Sequence, residues 1–272
     1  MQSPIGIFDS GYGGLTVLKE IVRVLPGYDY IYLGDNSRSP YGSRSYELVY
    51  YFTLECVKKL FSMGCQLVIL ACNTASAKAL RTIQQKDLPM IDQTRRVLGV
   101  IRPSAEVIGH YSKTGKIGVL GTPGTVNSNS YPIEIKKFFP EIEVYQQACP
   151  LWVPLIENNE YNEPGADYFV KKYIDSLLKT NNNIDTIILG CTHYPLLLHK
   201  IKEYVPAKIN VISQGHIVAE SLKDYLSRHP GMDIKCSKNG ARKFYTTDSP
   251  EIFDRQASIF FGSDVKSQYL AL

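Results

Sequence analysis

The chain has 272 residues, 44% hydrophobic and 21% charged, and a net charge of +4 from 30 basic and 26 acidic residues. That suffices for a packed core in one large domain or two of roughly 100–150 residues. Its longest apolar runs are far too short to cross a bilayer, and no dense basic stripe interleaved with aromatics makes a case for nucleic-acid binding.

In chain order, Met1-Gln2-Ser3-Pro4 shows no basic region and no cleavage site, so a cytoplasmic address is expected. Ile5–Phe8 reads as a strand, followed by the loop Asp9-Ser10-Gly11-Tyr12-Gly13-Gly14. Leu15–Leu25 reads as a helix with Leu15, Leu18, Val22 and Leu25 on one face, stopped by Pro26-Gly27. Tyr30–Leu33 is a second strand. Leu67–Ala71 is a third, ending at Cys72 and feeding a small-residue helix from Thr74 through Ala75, Ala77 and Ala79. Lys116–Leu120, Glu143–Tyr145, Thr186–Leu189 and Ile209–Ile212 read as further strands with helices between them. Short apolar strands alternating with helices imply an α/β fold with mainly parallel sheets.

The pattern repeats. Ile5-Gly6-Ile7-Phe8-Asp9-Ser10 is echoed by Ile117-Gly118-Val119-Leu120-Gly121-Thr122, and Leu67 through Thr74 by Ile184 through His193. Two matches in the same order at nearly equal offsets favour duplication over chance likeness of apolar strands. Two such sheets would face each other across a cleft, with ligands beyond the carboxyl ends of the strands, where Cys72 and Cys191 fall.

Six cysteines at irregular spacing, with no CxxC pair, suggest neither a disulfide framework nor zinc. Cys191-x-His193 offers two metal ligands, but no second pair stands at finger-like spacing, so no metal is expected. Cys72 and Cys191 both precede helices, whose positive ends favour thiolate. Asn73 and Thr74 could cap the first helix and Thr192 the second, with Pro195 near its first turn. Cysteine is often simply buried, which suits Cys56 and Cys65, but Cys72 and Cys191 are followed by polar residues. His193 shares a turn with Cys191 and can take a thiol proton or steady a thiolate. His110, His199, His216 and His229 have no such company.

Asp9 ends the first strand beside a glycine loop that fails the dinucleotide spacing, because Thr16 stands where the third glycine should be. The loop's N–H groups could hold a carboxylate instead. Asp9 could hydrogen-bond an α-ammonium or orient an acid–base group, or merely cap the helix.

Ile5 through Val17, Gly34-Asp35 with Pro40-Tyr41-Gly42, Ala71-Cys72-Asn73-Thr74-Ala75, and Leu189-Gly190-Cys191-Thr192-His193-Tyr194-Pro195 together resemble the glutamate racemase family. The likeness runs from about Ile5 to Gly262. It implies two pseudo-symmetric, three-layer α/β domains with the active site in the cleft between them, residues 1–96 with 214–272 forming one and 97–213 the other. It implies no cofactor, a homodimer, and D-glutamate made for peptidoglycan. Cys72 becomes the acid–base thiol for the D-face and Cys191 that for the L-face, with Asp9 and His193 assisting. Asp9, Ser10, Tyr41, Gly42, Asn73, Thr74, Thr122, Thr125, Thr192 and His193 become substrate contacts.

The chain departs from the pattern at Arg102-Pro103-Ser104, where many members have Glu-Pro-Gly, and Asp92–Arg96 looks inserted; both bear on how the domains join. Some members carry an N-terminal extension tied to activation by a wall precursor; the start near the first strand implies no such activation. The rivals are an aspartate racemase with a shorter pocket, a one-cysteine decarboxylase, and a non-catalytic amino-acid binder.

Overall fold

Ten strands build two sheets in a computed structural model that describes residues 2–272. Met1, which opens the N-terminal run read above, lies outside the described residues. The strands are β1 (Ile5–Asp9), β2 (Tyr30–Gly34), β3 (Leu67–Leu70), β4 (Arg96–Gly99), β5 (Lys116–Gly121), β6 (Glu143–Ala148), β7 (Thr186–Gly190), β8 (Asn210–Ser213), β9 (Arg242–Thr246) and β10 (Ser267–Tyr269). One sheet runs β10-β9-β2-β1-β3-β4 and the other β6-β5-β7-β8. Every ladder pair between these strands is parallel. The α/β class with parallel sheets is therefore as expected.

Central strands β1, β2, β3 and β7 are buried at every position. Parallel strands covered on both faces must be apolar on both, so they read in sequence as unbroken apolar runs. The duplication is visible in the strand order. In β2-β1-β3-β4 and β6-β5-β7-β8, β1 holds the place of β5 and β3 that of β7. The sequence echoes noted above thus occupy equivalent positions.

The helix Gly14–Val24 buries Leu15, Val17, Leu18 and Ile21, each burial worth roughly 1.5–3 kcal/mol. Val22 and Leu25 are only half-buried, so the expected face is rotated. The helices Gly215–Arg228 and Pro250–Phe261 both pack against this one, and the buried stripe turns to meet them as well as the sheet.

The chain passes from the first sheet to the second after β4 and returns after β8. At the first passage Pro103 lies in the opening turn of the helix Ile101–Val107, where backbone N–H groups have no helical partner and proline is tolerated. In the segment before β4, Asp92 Oδ1 accepts from the Thr94 N–H at 2.8 Å, and Arg95 donates to the Phe61 carbonyl at 2.5 Å. No helix among the described residues is long and apolar enough to cross a membrane.

Candidate active site

Both cysteines singled out above lie just beyond the carboxyl ends of equivalent strands, Cys72 after β3 and Cys191 after β7. They line one cavity of about 120 Å³ between the sheets. Its other polar walls are Ser10, Ser39, Ser43, Asn73, Thr74, Thr122, Thr192, His193 and Glu157, and its apolar walls include Pro150, Val153 and Pro154. Among the described residues lining it there is no lysine or arginine. An anionic ligand would rest on hydroxyl, amide and imidazole donors.

Cys72 caps the helix Asn73–Lys78 with its own sulfur, which accepts from the Ala75 N–H at 3.4 Å. Asn73 and Thr74, read as possible caps, lie inside the helix instead. The Ser10 hydroxyl is 3.5 Å from Cys72 Sγ. Burial, and then the nearby Asp9, push the Cys72 thiol up to about 12. These outweigh the Ser10 and Ala75 hydrogen bonds, which work the other way.

Asp9 is fully buried and does not line the cavity. Its Oδ2 accepts from the Gly11 N–H at 3.0 Å, and Thr192 Oγ1 reaches its Oδ1 at 3.4 Å. Within the glycine loop, the Gly11 N–H therefore holds the Asp9 carboxylate. Its side chain folds back on its own loop, behind the residues that line the cavity. Burial raises the Asp9 carboxyl; His193 and the loop amides pull it down without cancelling the effect.

His193 Nδ1 stands 3.9 Å from Cys191 Sγ, and its Nε2 is 2.9 Å from Glu157 Oε1. Burial works against the charged imidazole, but Cys191 and Glu157 outweigh it and carry His193 up to about 10. The ring is thus a cation at neutral pH, with one nitrogen for the thiol and the other for the carboxylate. Phe260 meets the ring edge-on at 5.2 Å. Gly13 permits this packing: a Cβ there would lie 2.2 Å from Thr192 Oγ1 and 2.4 Å from His193 Nδ1. Thr192 makes no helix cap; the turn Tyr194–Leu197 is entered through His193, with Pro195 in its first turn as expected.

Tyr41 and Gly42 reach the cavity on the loop after β2. The Tyr41 hydroxyl donates to Asp35, whose carboxylate also binds Arg38 at 2.7 Å and Thr247 at 2.9 Å. A Cβ at Gly42 would lie 2.9 Å from Thr122 Cβ, so the loop needs glycine to close on the second sheet. Thr74 Oγ1 bonds Thr122 Oγ1 across the cleft at 2.9 Å. Thr125 sits behind that pair, fully buried, and lines no part of the cavity. Its Oγ1 lies 3.2 Å from Thr122 Oγ1, which it supports.

Glu157 and Cys149 line the cavity without having been anticipated. Glu157 ends the helix Trp152–Glu157, and a lone acid closing that apolar run was the available signal. Cys149 follows β6 as Cys191 follows β7, yet nothing polar beside it marked it out. His110, His199, His216 and His229 stay outside the cavity, and no cluster of three or more metal-ligating side chains occurs among the described residues.

The family described as Asp/Glu/hydantoin racemase matches residues 5–222. A glutamate racemase of a Sulfurihydrogenibium species is 41% identical over 270 residues, covering 99% of this chain and 97% of that one. A crystal structure of a glutamate racemase isoform from Bacillus anthracis superposes with a TM-score of 0.90 at 37% identity, over 99% of this chain and 98% of that one. The glutamate racemase of Francisella tularensis, solved in complex with D-glutamate, superposes at 0.87 with 31% identity, over 99% and 98% of the two chains.

Proposed function

The chain belongs to the Asp/Glu/hydantoin racemase family, and from that premise we propose that it interconverts L- and D-glutamate by passing the α-proton between Cys72 and Cys191. The observation that carries this reading is the pair of thiols at equivalent strand ends of a duplicated fold, lining one cavity from two sheets. Inverting a stereocentre by proton transfer requires a base on one face and an acid on the other, and the duplication supplies both.

In the L-to-D direction Cys191 removes the α-proton as thiolate and Cys72, held as a thiol, returns one to the opposite face. Each turnover leaves the roles exchanged, and D-glutamate runs the steps backward. His193, held in place by Glu157, offsets negative charge on Cys191. Asp9 acts behind Cys72, where its charge disfavours the thiolate and so helps to hold the thiol form. Negative charge developing on the substrate meets hydroxyl, amide and imidazole donors fixed in the cavity wall. Ser10, Asn73, Thr74, Thr122, Thr192 and the Tyr41–Gly42 loop are the contacts supported by their place in the cavity wall.

The same reading makes the protein a cytoplasmic supplier of D-glutamate for peptidoglycan, working as a homodimer without cofactor. It divides the chain into 1–96 with 214–272 and 97–213, a first boundary that falls within β4, the last strand of the first sheet before the chain passes to the second. Circular dichroism on dialysed, chelator-treated protein given either enantiomer tests the reaction. Racemisation from both sides is expected; dependence on pyridoxal phosphate or on a metal would overturn it.

A further inference from the structure

Asn73, in the cavity wall next to Cys72, carries a buried carboxamide with both of its ends engaged. Its Oδ1 accepts from the Tyr131 hydroxyl at 2.7 Å, and its Nδ2 donates to Gln214 Oε1 at 2.8 Å. Gln214, 5% exposed, donates from Nε2 to the Val100 carbonyl at 3.1 Å and to Ser104 Oγ at 2.8 Å. A backbone carbonyl can only accept. Val100 therefore obliges Gln214 to present Nε2 on its side and Oε1 to Asn73, which in turn must present Nδ2 to Gln214 and Oδ1 to Tyr131. The orientation of this side-chain amide, on a residue of the cavity wall, is thus set from outside the cavity.

The relay also spans both passages between the sheets. Val100 and Ser104 lie on the first, just after β4, and Gln214 lies on the second, between β8 and the helix Gly215–Arg228. Ser104 belongs to the Arg102-Pro103-Ser104 departure that the catalytic reading left without a role. We propose that Gln214 is a positioning residue: through this relay it fixes the Asn73 carboxamide in the orientation that binds substrate. The inference rests on the glutamate reading above for its ligand, and it assigns Gln214 no contact with the reacting atoms.

The test is a double-mutant cycle on glutamate kinetics with Gln214→Met, which keeps side-chain length without the polar head, and Asn73→Ala. Gln214→Met is expected to raise KM about tenfold, the scale of one lost polar contact, with kcat within about threefold. A merely unstable protein would lose kcat through its inactive fraction and leave KM in place. In the Asn73→Ala background Gln214→Met should add less than about twofold, because groups acting through one contact are not additive. Ser104→Ala, the milder variant should Gln214→Met fold poorly, should raise KM in the same sense by about two- to threefold and likewise lose its effect without Asn73. Losses that multiply in the double variant, or an unchanged KM in either single variant, would overturn the inference. Calorimetric titration of D-glutamate into Cys72→Ala forms repeats the cycle on Kd. If the parent protein racemises nothing but the Kd cycle still closes through Asn73, the reaction falls and the relay stands; if racemisation holds and the cycle is additive, the relay falls alone.

Discussion

Cys72 and His193 are both buried, yet their surroundings set them to opposite protonic tasks. Cys72 is held as a thiol by burial and by Asp9, whereas His193 is held as a cation by Cys191 and Glu157 in spite of burial. If Asp9 and His193 assist the two thiols, Asp9→Asn and His193→Asn should each lower turnover by about 10²–10⁴-fold while leaving the circular dichroism spectrum folded. Wild-type turnover in both would return them to structural roles. Glu157→Gln tests the imidazolium through stability. A folded-state pKa raised above the ordinary 6.5 stabilises fully below 6.5 and loses that contribution as pH climbs through about 10. The variant should therefore melt lower than wild type at acidic pH, by about 2 kcal/mol, with the gap closing toward pH 10. A gap that is constant or grows with pH would show that Glu157 does not hold the charged ring. Alanine at Cys56, Cys65 or Cys236 should leave activity intact, at a packing cost of about 1 kcal/mol.

At the scale of elements, strand ends and the loops that follow them line the cavity, and close backbone approach lets them meet. Gly13→Ala would drive a methyl into Thr192 and His193, so it should cost about 1–3 kcal/mol and depress turnover by well over tenfold, read from melting and kinetics together. Normal turnover in that variant would mean the His193 contact is dispensable. The strands bearing Asp9, Cys72, Thr122 and Cys191 were legible because parallel, doubly covered strands are continuously apolar and end abruptly in polar residues. β9 and β10 were not, for Arg242 and Lys243 are exposed and Gln268 and Tyr269 face solvent, which hides any strand period. Glu157 was illegible as a partner of His193 because only folding joins the helix after β6 to the turn after β7. Thr125 and Asp9 lie behind the residues that line the cavity, and sequence proximity to a site does not say which side of a loop a side chain takes.

For the whole molecule, duplication brings two cysteines from equivalent strand ends to one cavity, the arrangement that the proposed two-thiol reaction requires. Assembly as a homodimer predicts a solution mass near twice 30.6 kDa by sedimentation, and a purely monomeric protein at assay concentration would remove that part of the account. The central claim is the division of labour between the thiols, and hydrogen exchange in heavy water on single-cysteine variants tests it most directly. Cys72→Ala and Cys191→Ala should both lose racemisation, since inversion needs two groups, yet each keeps one group able to remove a proton and return it on the same face. Cys191→Ala should exchange the α-hydrogen of D-glutamate without inversion, and Cys72→Ala that of L-glutamate. Racemisation by either single variant at near wild-type rate would contradict the two-thiol mechanism outright.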